Sequence, residues 1–246
     1  MDVIHPHTLT LIRKLESIAR LAPEEKAALQ RLPLRLKTVA ADQDIVSEGD
    51  TPFECCMIVE GFACRYNLTA QGKRQILSFH ISGDIPDLQS LHLKVMDHSL
   101  GTLIPCKLAF IQHDDLRSLM RNHPRLGDLF WRDTLIDAAV FRQWVVNVGR
   151  RQGPTRMAHL LCELLVRLRA VELVEDHIFD LPVTQAELAD ALGITNVHVN
   201  RVLQDLRGSG LIALRGKTLK VLDWEGLKMA GEFDPTYLHL TKEEAL

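Results

Sequence analysis

The sequence lacks several features that would assign it to a common class of protein. No apolar run approaches the ~18 residues that a membrane-spanning helix needs. The first ten residues lack the basic flank and apolar stretch of a signal peptide. These absences predict a cytoplasmic protein with no membrane partner. The motifs G-x-S-x-G, H-E-x-x-H and the P-loop are also absent, so we expect no enzymatic activity and no catalytic residues.

The cysteines lack the pattern of a disulfide framework or a zinc site. There are five, an odd number, and no two have C-x-x-C spacing. Cys55 and Cys56 are adjacent and would point to opposite faces of a strand. We interpret the cysteines as reduced thiols in the hydrophobic core, with a redox or metal role as the alternative.

The chain also lacks an overall basic excess, since its net charge is −3. Charge is nevertheless uneven along the chain. Residues 195–220 contain five lysines and arginines but one acid, Asp205. A local excess of this kind can bind phosphates even when the whole chain is acidic.

Hydrophobic periodicity divides the chain into a helical start, a strand-rich middle and a second helical part. Apolar residues repeat at helical spacing over residues 8–32. From about residue 34 to 112, short apolar runs alternate with turn signals such as Glu48-Gly49-Asp50, which predicts a compact antiparallel barrel or roll. Helical periodicity then returns and includes a long helix over about 125–148. Gly153-Pro154 is predicted to break the chain between two domains.

The segment Thr184–Leu206 carries the most specific pattern in the sequence. It reads as two helices, over about 185–191 and 196–206, separated by Gly193. Ala189, four residues before Gly193, leaves room for two helices to cross steeply. This pattern predicts a helix-turn-helix, whose second helix enters the major groove of DNA.

The flanks of this segment strengthen the interpretation. Thr184 and Glu187 form a T-x-x-E capping box at the first helix, and Thr195 is the expected N-cap of the second. Two short strands, over about 211–214 and 218–222, surround a tight turn and predict a wing. A short helix is expected after the wing, followed by a frayed tail.

Polar residues on the first turns of the second helix are the candidates for reading DNA. Arg201 can donate two hydrogen bonds to guanine O6 and N7, and Asn196 or Asn200 can pair similarly with adenine. His198 could reach a phosphate or a base edge. The alternative is a solvated polar surface. The residues expected to contact DNA are Thr184, Thr195, Asn196, Val197, His198, Asn200, Arg201 and Lys217.

The order of these parts resembles the Crp/Fnr family of bacterial transcription regulators over nearly the whole chain. The resemblance is carried by the turns Glu48-Gly49-Asp50, Glu60-Gly61 and Ser82-Gly83-Asp84, by the long helix, and by Val199-Asn200-Arg201 in the winged helix-turn-helix.

This resemblance implies an α+β fold. It would comprise an N-terminal antiparallel, jelly-roll-like β-roll of the cyclic-nucleotide-binding type, a long dimerisation helix and a C-terminal winged helix-turn-helix. The corresponding domains are residues 1–124, 125–152 and 153–246. A homodimer bound to a palindromic promoter site in double-stranded DNA is also implied, with RNA polymerase as a partner. Activation and repression both stay open.

Departures from the family pattern concern the ligand and the operator. By resemblance, the candidates for lining a ligand pocket are Gly83, Asp84, Asp87, His98 and Ser99. Cyclic-AMP-binding members hold the cyclic phosphate with an Arg-Ser pair, but no arginine lies between Gly83 and Ser99, so cyclic AMP is disfavoured. Many members carry a glutamate where Val197 stands, which predicts a different half-site.

The identity of the effector stays open. Iron–sulfur members place a cysteine cluster near the N-terminus, whereas the first cysteine here is Cys55, so a cluster of that type is disfavoured. Heme remains an alternative because His80, His92 and His98 fall near the pocket, although no residue is assigned as a metal ligand. Two further hypotheses are a regulator that needs no ligand and a cupin-like enzyme.

Overall fold

The computed structural model describes residues 6–241. Its helices are α1 (Leu9–Glu16), α2 (Pro23–Gln30), α3 (His113–Asn122), α4 (Pro124–Arg150), α5 (Gly153–Ala170), α6 (Gln185–Leu192), α7 (Asn196–Gly208) and α8 (Trp224–Gly231). Its strands are β1 (Arg35–Val39), β2 (Asp44–Val46), β3 (Glu54–Glu60), β4 (Ala63–Leu68), β5 (Arg74–His80), β6 (Ser99–Thr102), β7 (Cys106–Gln112), β8 (Ile178–Asp180), β9 (Ile212–Arg215) and β10 (Thr218–Val221). Short 3-10 turns occupy Pro6–Thr8, Leu88–Leu91 and Pro235–Leu238. This is the predicted α+β fold.

The described chain forms two compact units. One, which we call the roll unit, comprises the described residues up to Asn67 together with Phe79–Ala138. The other, which we call the reader unit, comprises Leu68–Ser78 together with the described residues from Ala139 onward. Strand β5 and helix α4 are each divided between the two units: β5 after Ser78 and α4 after Ala138.

Two antiparallel sheets build the predicted roll, with strand orders β1-β7-β3 and β2-β6-β4-β5. Alternate strand residues meet between the sheets because successive side chains on a strand point to opposite faces. The core residues there are Val39, Val46, Cys56, Ile58, Ala63, Met96, Leu100, Cys106, Leu108 and Phe110. Burial of this apolar surface is the main force that holds the roll together.

Helix α4 is 27 residues long, slightly longer than predicted. Proline at its first position is compatible with a helix because the missing N–H would have no partner there. Its spacing predicts seven apolar residues on the inner face. Six of them are buried and Val148 is half-buried; the six are Leu126, Leu129, Phe130, Ile136, Val140 and Trp144. None of the helices within residues 6–241 is both long and apolar enough to cross a membrane.

The sequence also predicts that Gly153-Pro154 interrupts the long helix, and this helix boundary is wrong by two residues, whereas the domain boundary there stays a prediction. Helix α4 ends at Arg150, and Gly153 and Pro154 are the first residues of α5. Gln152 precedes α5 in an extended conformation, with φ −81° and ψ 162°. Proline is tolerated in the first turn of a helix, so here it helps to start a helix.

The reader unit is built around α5, which is buried along most of its length. A three-stranded antiparallel sheet of order β8-β10-β9, together with helices α6, α7 and α8, completes the unit. The prediction that the chain frays after α8 is wrong for residues 232–239. Phe233 and Leu238 are buried there, and Asp234 caps the 3-10 turn by accepting a hydrogen bond from the Thr236 N–H.

Candidate nucleic-acid interface

Helix α6 begins and ends as the sequence predicts. Thr184 Oγ1 accepts from the Glu187 N–H at 3.2 Å, and a Glu187 carboxylate oxygen accepts from the Thr184 N–H at 2.6 Å. Two N–H groups that lack partners within the helix are thereby satisfied. Gly193 ends the helix with φ +63°, the left-handed conformation that favours glycine. The turn into the next helix is therefore fixed at both ends.

Helix α7 is the second helix of the predicted pair, and we call it the recognition helix. Thr195 caps it, since Oγ1 accepts from the His198 N–H at 3.2 Å. Its inner face is apolar and consists of the buried residues Val199, Val202, Leu203 and Leu206. Its outer face carries the exposed residues Asn196, Val197, Asn200 and Arg201.

The turn between α6 and α7 is held against the connection between α4 and α5. Arg156 Nη1 donates to the Leu192 carbonyl at 2.7 Å, and Arg156 Nε donates to the Arg151 carbonyl at 2.7 Å. A Cβ on Gly193 would lie 3.3 Å from Val148. The helix-turn-helix is therefore fixed to the end of the long helix by hydrogen bonds and close packing.

Three of the candidate DNA-contacting residues bind other side chains. Asn200 Nδ2 donates to Gln185 Oε1 on α6 at 3.3 Å. His198 Nδ1 lies 2.6 Å from Arg201 Nη2, and the His198 ring lies over Gly153. His198 is half-buried for this reason, whereas the sequence predicted it to be exposed.

The wing is the β9–β10 hairpin, in which Arg215 pairs with Thr218. Gly216 occupies its two-residue turn with φ +60°, beside the exposed Lys217. A groove of about 550 Å³ lies between the end of α7 and the wing, and Arg207 and Arg215 contribute to its lining. The local basic excess is thus present on the same unit as the recognition helix.

The roll candidates Gly83 and Asp84 lie under helix α1. Gly83 has φ +95°, and a Cβ there would lie 2.6 Å from the Thr10 carbonyl oxygen. Asp84 forms an ion pair with Lys14 of α1 and accepts from the Ile81 N–H at 3.1 Å. This turn is therefore bonded within the chain.

The other roll candidates are also buried and bonded. Asp87 Oδ1 accepts from the Cys56 N–H at 2.8 Å, and burial raises the pKa of this carboxyl to about 7. His98 Nδ1 lies 2.7 Å from Asp97, and burial lowers the pKa of its imidazole. Ser99 Oγ accepts from the Glu48 N–H at 3.0 Å. That these five residues line a ligand pocket stays a prediction.

A cluster of buried and partly buried charges in the roll unit was not predicted from the sequence. Arg65 on β4 forms a 2.8 Å ion pair with Asp137 of α4 and donates to the Pro86 carbonyl. Lys14 pairs with Asp84 and lies 3.5 Å from Asp133 of α4. Asp133 interrupts the apolar stripe of α4 because it faces this lysine. The sequence has no arginine between Gly83 and Ser99, but the structure places the Arg65 guanidinium, from β4, beside the 83–87 turn. This guanidinium is already paired with the Asp137 carboxylate.

Histidines and cysteines in the roll show no grouping typical of a metal site. Within residues 6–241, no cluster of three or more His, Cys, Asp or Glu side chains could hold a metal ion. All five cysteines are buried thiols, as predicted. Cys56 packs in the roll core while the Cys55 thiol lies 3.5 Å from Ser90 Oγ, so the two do point to opposite faces. Burial raises the pKa of both thiols.

A second unpredicted cluster surrounds Glu163 on α5, which is fully buried. Its carboxylate accepts from Trp144 Nε1 at 3.1 Å and from the Tyr237 hydroxyl at 2.7 Å. Burial raises the pKa of this carboxyl, while burial lowers the pKa of the neighbouring His159 to about 4. The cluster joins α4, α5 and the C-terminal 3-10 turn within the reader unit.

Two family models match this chain. Residues 36–123 match the cyclic nucleotide-binding domain, and residues 155–230 match the Crp-like helix-turn-helix domain. The first match covers most of the roll, and the second runs from the start of α5 to the end of α8.

Curated relatives and solved structures agree with these matches. The chain is 28% identical over 210 residues to the transcriptional activator protein FnrL of Cereibacter sphaeroides, covering 84% of this chain and 83% of that one. It is 25% identical over 201 residues to the fumarate and nitrate reduction regulatory protein of Escherichia coli, covering 80% and 79%. The structure of FixK2 from Bradyrhizobium japonicum superposes with a TM-score of 0.73 at 21% identity, over 81% of this chain and 98% of that one.

Proposed function

Because this chain belongs to the Crp/Fnr family of DNA-binding transcription regulators, we propose that it reads a palindromic promoter site in double-stranded DNA through the recognition helix. The observation that carries this proposal is the geometry of α7. Its inner face is apolar and buried, and its first turns expose Asn196, Val197, Asn200 and Arg201. A helix so arranged presents its N-terminal side chains to base edges in the major groove.

Arg201 is the residue that we assign to base reading. Its exposed guanidinium has five N–H donors in a fixed plane, which match O6 and N7 of guanine. Asn196 and Asn200 are assigned to adenine and Val197 to a thymine methyl. Thr184 and Thr195 are the other assigned positions on the helix-turn-helix, and Lys217 on the wing is assigned to phosphate. His198, which is half-buried beside Arg201, is not assigned a DNA contact of its own.

The occupant proposed for the outer face of α4 is a second copy of this chain. Trp131 and Val145 are 63% and 72% exposed, and Leu135 is exposed as well. Together with Ala138 and Arg142 these residues step along the helix by four, three, four and three, the repeat of a coiled-coil seam. Members of this family typically act as dimers, and the seam would bury this apolar surface.

Two-fold symmetry of such a dimer is the reason to expect a palindromic site with half-sites about one helical turn apart. RNA polymerase is the proposed partner of the DNA-bound dimer. The domains we assign are the N-terminal helices and roll (1–124), the dimerisation helix and hinge (125–152) and the DNA reader (153–246).

Regulation without a ligand is the second candidate for the role of the roll. It is favoured by the internal bonding of Asp84, His98 and Ser99, since groups already bonded within the chain must exchange those bonds to take a ligand. The main alternative is an effector other than cyclic AMP that shifts the orientation of the DNA readers through β5 or α4, which both units share.

Selection of bound sequences from random duplexes by the full-length protein tests the proposal. We expect a palindromic site to be selected. Arg201→Ala should weaken binding to that site by about 1–3 kcal/mol and relax the preference for one base pair in each half-site. Arg121→Ala, an exposed arginine on α3 of the roll unit, is the matched control and should select the same site. Selection of the same site with equal strength by Arg201→Ala would remove Arg201 from base reading.

Full-strength binding of the selected site without added small molecule would support ligand-independent regulation. A requirement for cell extract or an added effector would exclude it.

A further inference from the structure

His198 differs from its neighbours on the recognition helix. Asn196, Val197, Asn200 and Arg201 are exposed, whereas His198 is half-buried although it lies on the first turn. Packing against its own protein leaves less of the His198 imidazole accessible to DNA than is accessible of these neighbours. The contacts of His198 therefore indicate a different role from that of its neighbours.

One of these contacts is with the backbone at the start of α5. A Cβ built on Gly153 would lie 2.8 Å from His198 Cδ2 and closer still to Nε2. Gly153 is the first residue of α5 and does not adopt a positive φ. A side chain at this position would have to displace the imidazole, which occupies the space that a Cβ would take.

The other contact is with Arg201. Arg201 Nη2 lies 2.6 Å from His198 Nδ1. A guanidinium can only donate hydrogen bonds, so Nδ1 accepts and the ring proton lies on Nε2. The bond uses one of five guanidinium N–H groups, and two adjacent donors stay available for the edge of a guanine.

We propose that His198 is a positioning residue for the base-reading guanidinium of Arg201. Helix α5 fixes the imidazole through Gly153, and the imidazole fixes the guanidinium. An arginine side chain held in this way loses less conformational entropy when it binds DNA. This inference rests on the proposed function, in which Arg201 reads a base pair, and it assigns His198 an effect on DNA that passes through Arg201.

A double-mutant cycle in the full-length protein tests the proposal. Binding of the selected site, of the same site with the guanine replaced, and of a random duplex is measured at one salt concentration. We expect His198→Leu to lower the preference for guanine about tenfold and to leave the affinity for the random duplex within twofold. In the Arg201→Ala background, His198→Leu should have no further effect.

His198→Asn is the conservative variant. Its side-chain oxygen can replace Nδ1 as an acceptor, although the shorter side chain no longer covers Gly153. We expect it to restore most of the preference for guanine. Additive effects of His198→Leu and Arg201→Ala, or weaker random-duplex binding by His198→Leu, would show that His198 contacts DNA itself and would overturn the proposal.

Gly153→Ala tests the same proposal from the other side of the contact. The added Cβ must displace the imidazole, so the preference for guanine should fall as it does in His198→Leu. Gly208→Ala is the matched control, because a Cβ there meets no atom within 4 Å. Equal behaviour of the two alanine variants would contradict the role of the Gly153 contact.

Nitrogen-15 NMR of the free protein provides a readout that does not depend on DNA. The His198 imidazole should carry its proton on Nε2. In Arg201→Ala, the imidazole should become a mixture of the Nδ1-protonated and Nε2-protonated tautomers. A proton on Nδ1 in the free protein would overturn the inference whatever the DNA-binding result. A different outcome is also informative: the His198 proton lies on Nε2 as expected, but Arg201→Ala still selects the same site. That result would refute the assignment of Arg201 to base reading.

Discussion

The recognition helix and the 83–87 turn of the roll use polar residues in opposite ways. On the recognition helix, Asn196 and Arg201 are exposed at the surface. At the turn of the roll, Asp84 and Asp87 are buried and bonded to Lys14 and to the backbone of β3. Exposed polar groups on a rigid helix favour an external partner, whereas buried groups that are bonded within the chain, as Asp84 is, favour a structural role. Asp87 is bonded through Oδ1 alone, since its buried Oδ2 has no hydrogen-bond partner among the described residues. Substitutions in the two regions can break or sharpen this contrast.

The largest effect on stability is expected in the roll, from Lys14→Met. Lys14 is mostly buried beside Asp84 and Asp133. Its loss removes the cation that faces the buried Asp84 and the partly buried Asp133, so the free energy of unfolding should fall by about 3 kcal/mol at neutral pH. Urea unfolding measures the change. Lys26→Met is the control, since the Lys26–Glu16 pair is much more exposed, and should cost less than about 1 kcal/mol.

The pH dependence of this variant has a definite sign. Burial raises the pKa of Asp133 and Lys14 lowers it, so Lys14→Met raises that pKa further. A carboxyl whose pKa is higher in the folded state than in the unfolded state destabilises the fold as pH rises above its unfolded pKa. The cost of Lys14→Met should therefore shrink as pH falls into the acid range. A cost that does not change with pH would indicate lost packing alone.

The two tyrosines of the chain provide an intermediate test, one in each unit. Tyr237→Phe removes the hydroxyl that donates to the buried Glu163 carboxylate, and we expect a loss of about 2 kcal/mol at neutral pH. Tyr66→Phe removes a 2.7 Å hydrogen bond to Asp44 near the surface and should cost about 0.5 kcal/mol. Thermal unfolding of both variants measures the difference.

Glu163 gives the Tyr237 variant a pH signature as well. Burial raises the pKa of Glu163, and the bond from Tyr237 lowers it, so Tyr237→Phe should cost most at neutral pH and less in acid. If Tyr66→Phe is as costly as Tyr237→Phe, the C-terminal turn is not anchored by this bond.

The smallest effect on stability is expected from Val197→Ala on the recognition helix. Val197 is 82% exposed, so the free energy of unfolding should change by less than about 0.5 kcal/mol. Base preference at one position of the half-site should nevertheless weaken about fourfold, because one apolar contact with a thymine methyl is reduced. Met229→Ala on α8, which is 81% exposed, should change neither quantity. Unchanged site selection by Val197→Ala would remove this residue from base reading.

Local sequence patterns were sufficient to predict helices α6 and α7 and the wing. The capping box of Thr184 and Glu187, the left-handed Gly193 and the apolar spacing of α7 each depend on residues no more than about four positions apart. Such interactions are visible in a single sequence because their partners are adjacent in it. The boundaries of α6, α7 and the wing accordingly differ from prediction by only one or two residues.

Interactions between distant residues could not be predicted in this way. Lys14 and Asp84 are 70 positions apart, and Arg65 and Asp137 are 72 apart. Each looks like an ordinary surface charge in the sequence, since nothing local shows that its partner lies opposite. Tyr237 is 74 positions from Glu163, and its polar surroundings in the sequence suggested a frayed tail. Asp133 alone gave a signal, because it interrupts an apolar stripe.

The close approach of His198 to Gly153 has a consequence for the evolution of such chains. Some glycines are retained because only glycine adopts their backbone conformation easily. At Gly153, substitution is instead limited by the imidazole of His198, 45 positions further along the chain. A relative with a small residue in place of His198 is free to carry alanine in place of Gly153. The two positions are therefore expected to vary together, and an ancestor that changed one before the other would have passed through an intermediate with a less selective DNA reader.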